Sequence, residues 1–321
     1  MDLFLILWQP ILFLLLSLAI LIWGADKFVD YSSILAKKLG INELTIGLTV
    51  VALGTSAPEI FVGISSIVNQ TESIAIGTVV GSNISNIALI FGVASLGRTL
   101  KPKQTPSKQL IPVILSTGIL GFAIYDLYIS FFESLILLLV LIQFMFITFQ
   151  NRSESIADQS IHTQNKNNIS IILFLSIGLA ALIFGSQYAV LNAEKIADIL
   201  GISELIIGLT VVAIGTSLPE LAATISAIIK NKADMVIGNV IGSNVLNIVL
   251  VVPMIGFISK IKLDPELFDR DYIVMVVLTC IFLFMVKLQS TKFMNILSIR
   301  VLGFLMILSY LFYIALLSKL I

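Results

Sequence analysis

Gly54-Thr55-Ser56-Ala57-Pro58-Glu59 is a polar segment inside a long apolar run, and it recurs as Gly215-Thr216-Ser217-Leu218-Pro219-Glu220 at a spacing of 161 residues. Each copy brings a carboxylate, two hydroxyls, a glycine and a proline together. In water such a segment would be an ordinary turn. Within a bilayer its polar groups are costly to bury, so an intramembrane segment of this kind indicates a functional site.

The composition predicts an all-α polytopic membrane protein. Hydrophobic residues make up 58% of the chain and charged residues only 12%, whereas charged residues make up about a quarter of a globular protein. Apolar runs of about 20 residues, long enough to cross a bilayer as helices, recur throughout. A net charge of +0 argues against a nucleic-acid partner, and the sequence lacks the nucleophile–base pair or histidine cluster of an enzyme.

The apolar runs predict about ten membrane-spanning helices. They lie at 4–24, 43–68, 74–97, 109–127, 129–149, 168–190, 204–229, 235–257, 271–288 and 295–318. If the N-terminus lies outside, most of the 19 Lys and Arg residues fall in the inner loops, as the positive-inside rule requires. We therefore predict a multi-pass protein of the plasma (cell inner) membrane, with both termini outside and the middle loop in the cytoplasm.

An internal duplication organises the chain. Residues 22–90 align with 183–251 without a gap, and the matched Gly, Pro, Ser, Asn and Glu positions cannot arise from a shared apolar bias. An odd number of helices in each repeat, about five, inverts the second repeat, which is typical of secondary transporters. The predicted units are a first repeat over 1–150 (motif 40–90), a cytoplasmic linker over 151–167 and a second repeat over 168–321 (motif 201–251). We expect a monomer without a soluble regulatory domain.

The prolines are expected to break both helices beside the carboxylates. Pro58 has no N–H, so the Gly54 carbonyl loses its helical partner, and the proline ring disfavours a helical backbone at Ala57. Pro219 has the same effect in the second copy. Lipid cannot satisfy carbonyls that are freed in this way, but a bound cation can.

The predicted site contains only hard oxygen donors, in two symmetric sets. Helical spacing places the hydroxyls on the same face as the carboxylate in each copy, and a Ser–Asn pair four residues apart lies on the neighbouring helix. The sets are Thr55, Ser56, Glu59, Ser82 and Asn86, and Thr216, Ser217, Glu220, Ser243 and Asn247. Such donors suit calcium and sodium and argue against zinc or copper.

Two carboxylates at close range in a low dielectric cannot both remain ionised and unpaired. Their charge matches one divalent cation, and several monovalent cations or protons could replace it. This property favours an exchanger. A calcium/proton antiporter and, less well supported, a passive cation channel remain alternatives.

The motifs Gly-Thr-Ser-x-Pro-Glu and Gly-Ser-Asn-x-x-Asn, present in both repeats, resemble those of the calcium/cation antiporter superfamily, and within it the prokaryotic sodium/calcium exchangers. The resemblance covers nearly the whole chain. It implies exchange of sodium for calcium by alternating access, with the first and sixth helices sliding over a fixed core. The transported ions would be calcium and sodium, and no cofactor is expected.

The resemblance also assigns roles to individual residues. It makes Glu59 and Glu220 the central calcium ligands, shared with sodium. It completes the cation sites with Thr55, Thr216 and the carbonyls of Ala52 and Ala213, and it places Ser56, Ser82, Ser217 and Ser243 in flanking sodium sites. Some relatives, including potassium-dependent exchangers, carry Asp where this chain has Asn247. Because Asn86 and Asn247 are both neutral, we predict exchange that does not require potassium.

Overall fold

The computed structural model describes residues 3–68, 72–97, 107–150, 167–201, 215, 217–258, 262–263, 265–290 and 295–317. Helices account for nearly all of them. They are α1 (Leu3–Leu39), α2 (Glu43–Thr55), α3 (Ala57–Val68), α4 (Glu72–Ser85, continued through Asn86–Phe91 and Gly92–Leu96), α5 (Ser107–Leu110, continued through Ile111–Tyr125), α6 (Phe131–Gln150), α7 (Asn168–Ile199), α8 (Leu218–Ile229), α9 (Ala233–Ile258), α10 (Leu267–Tyr272, continued through Ile273–Ser290) and α11 (Ile296–Leu317).

Eight of the described helices are long and apolar enough to cross a membrane, and the bent pair α2–α3 makes a ninth span. These nine correspond to nine of the predicted spans. The remaining predicted span, 204–229, is described only in its second part, as the short apolar helix α8. Both long helices that open the repeats extend further than expected, since α1 continues to Leu39 and α7 to Ile199.

The two repeats are inverted, as the contacts between α1 and α7 show. A Cβ atom at Gly24 would lie 2.7 Å from the Leu182 nitrogen, and one at Gly185 would lie 2.7 Å from the Leu21 nitrogen. These two contacts are equivalent under the repeat alignment. As residue numbers rise along α7 they fall along α1, so the helices run antiparallel. Small residues at these positions allow the backbones to approach closely.

Matching glycines end these two helices. Gly40 and Gly201 have φ values of 65° and 74°, a left-handed conformation that glycine adopts without steric cost. Asn42 then caps α2, because its side chain accepts a hydrogen bond from the Thr45 N–H at 2.7 Å. The equivalent residue of the second repeat, Ser203, lies outside the described residues.

The core of the protein forms where α9 packs against α2, α4, α5 and α6. Close packing of α2 on α9 depends on glycine: a Cβ at Gly47 would lie 2.6 Å from the Met235 carbonyl oxygen, and one at Gly242 would lie 2.6 Å from the Leu48 carbonyl oxygen. The outer helices instead expose large apolar side chains, such as Phe122, Phe146 and Phe304. An apolar exterior is the expected arrangement for a protein in lipid.

Candidate cation-binding site

The two repeated motifs have the same backbone geometry at the same residue. Ser56 separates α2 from α3, which are bent by 49°, and has φ −82° and ψ 3°. Ser217 precedes α8 and has φ −91° and ψ 5°. The break predicted from Pro58 is therefore present; in the second copy α8 begins directly after Ser217, and residues 202–214 lie outside the described ones. The geometry places Glu59 and Glu220 in the first turn of α3 and α8, where the helix dipole favours negative charge.

The two carboxylates lie in the protein interior, and a hydrogen bond from the first motif reaches the carboxylate of the second. The exposed fraction of Glu59 is 3% and that of Glu220 is 1%. The Ser56 hydroxyl donates to Glu220 Oε1 at 3.0 Å. Both Oε2 atoms are buried, and none of the described residues forms a hydrogen bond with them. A buried carboxylate oxygen in this state requires a cation or a proton.

Thr55 lies beside the carbonyls that precede the first break. Its hydroxyl is 3.1 Å from the Val51 carbonyl oxygen, 3.5 Å from that of Ala52 and 3.2 Å from Asn239 Oδ1. The Ala52 carbonyl also accepts the Ser56 N–H at 3.0 Å. It keeps a second lone pair, because a carbonyl oxygen has two. The corresponding predictions for Thr216 and Ala213 fall outside the described residues.

The predicted Ser–Asn pairs on α4 and α9 are buried at the same level. Ser82 and Ser243 are buried, and no described residue pairs with the Ser243 hydroxyl. Asn86 Nδ2 donates to Asn244 Oδ1 at 3.2 Å. Within the described part of the chain neither amide atom of Asn247 has a partner, although the residue is 1% exposed. The predicted Ser–Asn pairs are therefore buried, as the two carboxylates are.

The pseudo-two-fold axis passes close to this site. Asn83 Nδ2 donates to the Asn244 carbonyl oxygen at 3.2 Å, and these residues are equivalent in the two repeats. A residue in contact with its own equivalent must lie near the symmetry axis. Asn244 is also near the middle of the 26-residue helix α9, which is about 39 Å long at helical rise. The site is therefore buried at mid-height of the helices.

Four residues of this region were not among the predicted site residues. Asn83 and Asn244 belong to the repeated Gly-Ser-Asn motif, and their presence in both copies is a signal that could have identified them. Ser85 contacts Ser217 and Asn239 contacts Thr55. Their repeat equivalents are Leu246 and Thr78. Because the residue types differ between the repeats, a search for identical residues in both motifs does not find Ser85 or Asn239.

Comparison with known proteins places this geometry in a family. A family model described as "Sodium/calcium exchanger protein" matches residues 9–150 and 170–319. The chain belongs to this family. It is 35% identical over 279 residues to inner membrane protein YrbG of Escherichia coli (84% of this chain, 86% of that protein). It is 33% identical over 289 residues to the sodium/calcium exchanger MaX1 of Methanosarcina acetivorans (76% and 82%).

A solved structure agrees with this assignment. The structure of the sodium-calcium exchanger NCX_Mj soaked with Na⁺ and Sr²⁺ matches with a TM-score of 0.77 at 30% identity, covering 96% of this chain and 98% of that one. The family resemblance and the fold class predicted from the motifs are confirmed. The protein is a polytopic membrane protein of a cation/calcium antiporter family, whose members are transporters rather than enzymes.

Proposed function

We propose that the protein is a secondary active antiporter that exchanges sodium for calcium by alternating access and moves calcium outward on the sodium gradient. The observation that carries the proposal is the pair of buried carboxylates, Glu59 and Glu220, each with an Oε2 atom that bonds to none of the described residues. Two negative charges at one site match a calcium ion. When calcium leaves, sodium ions supply the compensating charge, because an empty site would leave repelling carboxylates in a low dielectric.

The ligand assignment follows the two repeats. Glu59 and Glu220 hold calcium and are shared with sodium. Thr55 and Thr216 and the carbonyls of Ala52 and Ala213 complete the cation sites, and Ser56, Ser82, Ser217 and Ser243 serve the flanking sodium sites. The burial of these serines and the unpaired Ser243 hydroxyl support the assignment, because buried oxygen donors without partners suit a hard cation.

The exchange is independent of potassium. The side chains that would add a further negative charge at the centre, Asn86 and Asn247, are neutral amides. Asn247 is buried with both of its amide atoms unpaired, so it can offer its carbonyl oxygen to a cation but no charge. A site with two carboxylates balances one calcium ion without requiring potassium.

The protein acts as a monomer in the plasma (cell inner) membrane, with both termini outside. The distribution of Lys and Arg supports this orientation. Lys230, in the loop after α8, contacts Asp26 in the second half of α1, so these two parts of the chain lie on the same face, which we assign to the cytoplasm. Reporter fusions at the linker over 151–167 and at the C-terminus would test the orientation.

Radioactive calcium uptake into proteoliposomes tests the function. Vesicles loaded with sodium and diluted into sodium-free buffer should accumulate calcium, and uptake should fall to background when an ionophore collapses the sodium gradient. Replacement of potassium by an impermeant cation should change the rate less than about twofold.

Three other outcomes would contradict parts of the proposal. Uptake driven by an imposed pH gradient, but not by sodium, would identify a calcium/proton antiporter. Calcium entry without any counter-ion gradient would identify a channel. A requirement for potassium would overturn the role assigned to Asn86 and Asn247. Empty liposomes and the Glu220→Gln variant serve as the controls for leak.

A further inference from the structure

The two halves of the site differ in the partner of one hydroxyl. In the first half, the Ser56 hydroxyl donates to Glu220 Oε1 at 3.0 Å. In the second half, the equivalent residue Ser217 pairs with Ser85, whose hydroxyl donates to Ser217 Oγ at 2.9 Å. The backbone angles at Ser56 and Ser217 are nearly the same. The different partners of Ser56 and Ser217 therefore result from the surrounding side chains and not from the backbone conformation.

Ser85 itself has no polar equivalent in the other repeat. Its counterpart is Leu246, which is buried in the apolar core and cannot accept a proton from Ser56. Ser85 is 2% exposed, so its hydroxyl is buried beside the second break.

This arrangement matters when a cation approaches. A serine hydroxyl carries one proton and two lone pairs, and a ligand serine must turn its proton away from the ion. Donor and acceptor can exchange between two hydroxyls by rotation, so Ser217 can direct its proton at Ser85 and leave its lone pairs to the cation. Ser56 instead directs its proton at a carboxylate oxygen that the cation also needs.

We propose that Ser85 is a positioning residue for sodium: it orients the Ser217 hydroxyl and makes the Ser217 half of the site the half with the higher sodium affinity. The inference rests on the proposed sodium/calcium exchange. It extends that proposal because it assigns different sodium affinities to the two halves of the site, although the two repeats have similar sequences. Calcium affinity depends chiefly on the two carboxylates, so loss of the Ser85 hydroxyl should affect it less than sodium affinity.

Equilibrium binding tests the proposal on purified full-length protein in detergent. Calcium affinity is measured without sodium, and the sodium concentration that displaces half of the calcium is measured next. Ser85→Ala should raise that sodium concentration by about 3- to 10-fold, the loss of one hydrogen bond, and should change calcium affinity less than about twofold. Ser85→Cys replaces the hydroxyl by a thiol of similar size that forms only weak hydrogen bonds. It should therefore also raise the sodium concentration needed to displace calcium. This variant provides the test if Ser85→Ala does not fold.

Matched variants separate this role from a structural one. Ser95→Ala removes a buried hydroxyl of the same helix, which in the described part of the chain bonds within its own turn to Phe91 O, and should leave sodium displacement unchanged. Ser85→Thr keeps the hydroxyl and should restore near-normal displacement. In a Ser217→Ala background, Ser85→Ala should have no further effect, since the two residues act as one unit.

The results distinguish this inference from the proposed function. If sodium does not displace calcium from the wild-type protein, the sodium/calcium exchange is wrong. If sodium displaces calcium normally from Ser85→Ala and Ser85→Cys, or if calcium and sodium affinities fall equally, the positioning role of Ser85 is wrong while the exchange stands. Additive effects of Ser85→Ala and Ser217→Ala on sodium displacement would also contradict the positioning role of Ser85.

Discussion

The first and second breaks of the molecule share a sequence motif and a backbone conformation but differ in their surroundings. At the first break, Ser56 bonds across the site to the carboxylate of the other repeat; at the second, Ser217 bonds to Ser85. Duplication has thus reproduced the backbone shape of the site more faithfully than its hydrogen bonds. Local backbone geometry depends on Gly, Pro and Ser within the motif, whereas a hydrogen bond also depends on residues of another helix.

The helices beside the breaks show the same divergence. In α4, residues Asn86–Phe91 form a π-helical segment, while the equivalent residues of α9 continue a regular α-helix from Ala233 to Ile258. π-helical turns are frequent at functional sites. Here the segment starts directly after Ser85, at Asn86, so the irregular turn lies on the side of the site that carries the additional hydroxyl.

The largest effect is expected from the carboxylates. Glu59→Gln and Glu220→Gln should each reduce sodium-driven calcium uptake to below about one hundredth of wild type, because loss of residues that merely support metal ligands already costs 10- to 100-fold. If the two carboxylates are equally important as ligands, the two variants should show the same residual calcium uptake. Near-normal uptake by either folded variant, checked by size-exclusion chromatography, would refute its assignment as a ligand.

A large effect on stability is expected where the halves pack together. A Cβ at Gly238 would lie 2.5 Å from the Leu44 carbonyl oxygen and 2.9 Å from the Leu48 nitrogen. Because backbone atoms cannot move aside easily, Gly238→Ala should destabilise the protein by about 1–3 kcal/mol, measured by thermal unfolding in detergent.

Gly118 is the matched control for this substitution. Among the described residues no heavy atom lies within 4 Å of a Cβ at this position, and alanine is the better helix former. Gly118→Ala should therefore leave the melting temperature unchanged or raise it slightly. Equal melting temperatures for the two variants would mean that α2 and α9 are not packed as closely as described.

A smaller effect on stability is expected from the ion pairs between the second repeat and α1. Lys230 Nζ lies 2.6 Å from Asp26 Oδ1 and 2.8 Å from Asp30 Oδ1; the equivalent of Asp26 in α7 is the neutral Gln187. Lys230→Met should lower stability by about 1 kcal/mol at low salt, and by less in molar salt, because partly exposed ion pairs are screened. Lys195→Met provides the control, since no ion pair of the described residues involves Lys195. A salt-independent loss would point to packing of the lysine stem instead.

The smallest effect is expected for Glu133, an acidic residue far from the motifs. The Ser130 N–H donates to Glu133 Oε2 at 2.7 Å and the Glu133 N–H donates to Ser130 Oγ at 3.3 Å, which is a capping box at the start of α6. Glutamine can make the same bond, so Glu133→Gln should transport calcium within about twofold of wild type and shift stability by less than about 0.5 kcal/mol. A variant that folds but does not transport would place Glu133 on the ion pathway.

Much of the site could be predicted because its chemistry is local. Pro58 and Pro219 break their helices by removing a donor and crowding the preceding residue, whatever surrounds them. Asn42 caps α2 through a bond to Thr45, three residues along the chain. The same holds for the left-handed glycines after α1 and α7. Ser85 and Asn239 could not be predicted in this way, because each acts on a residue of the other repeat.

The amino-acid sequence alone was enough to predict membrane spans, two inverted repeats and a carboxylate after each proline-containing motif. These properties depend on apolar length, an odd helix number and proline geometry, all of which act over short stretches of chain. The packing of the helices was needed to show that Asn83 contacts Asn244 near the axis and that Ser56 and Ser217 bond to different partners. The reason is physical: which polar groups meet in the interior depends on how helices distant in sequence cross, and a single buried side chain, serine at 85 or leucine at 246, changes the outcome.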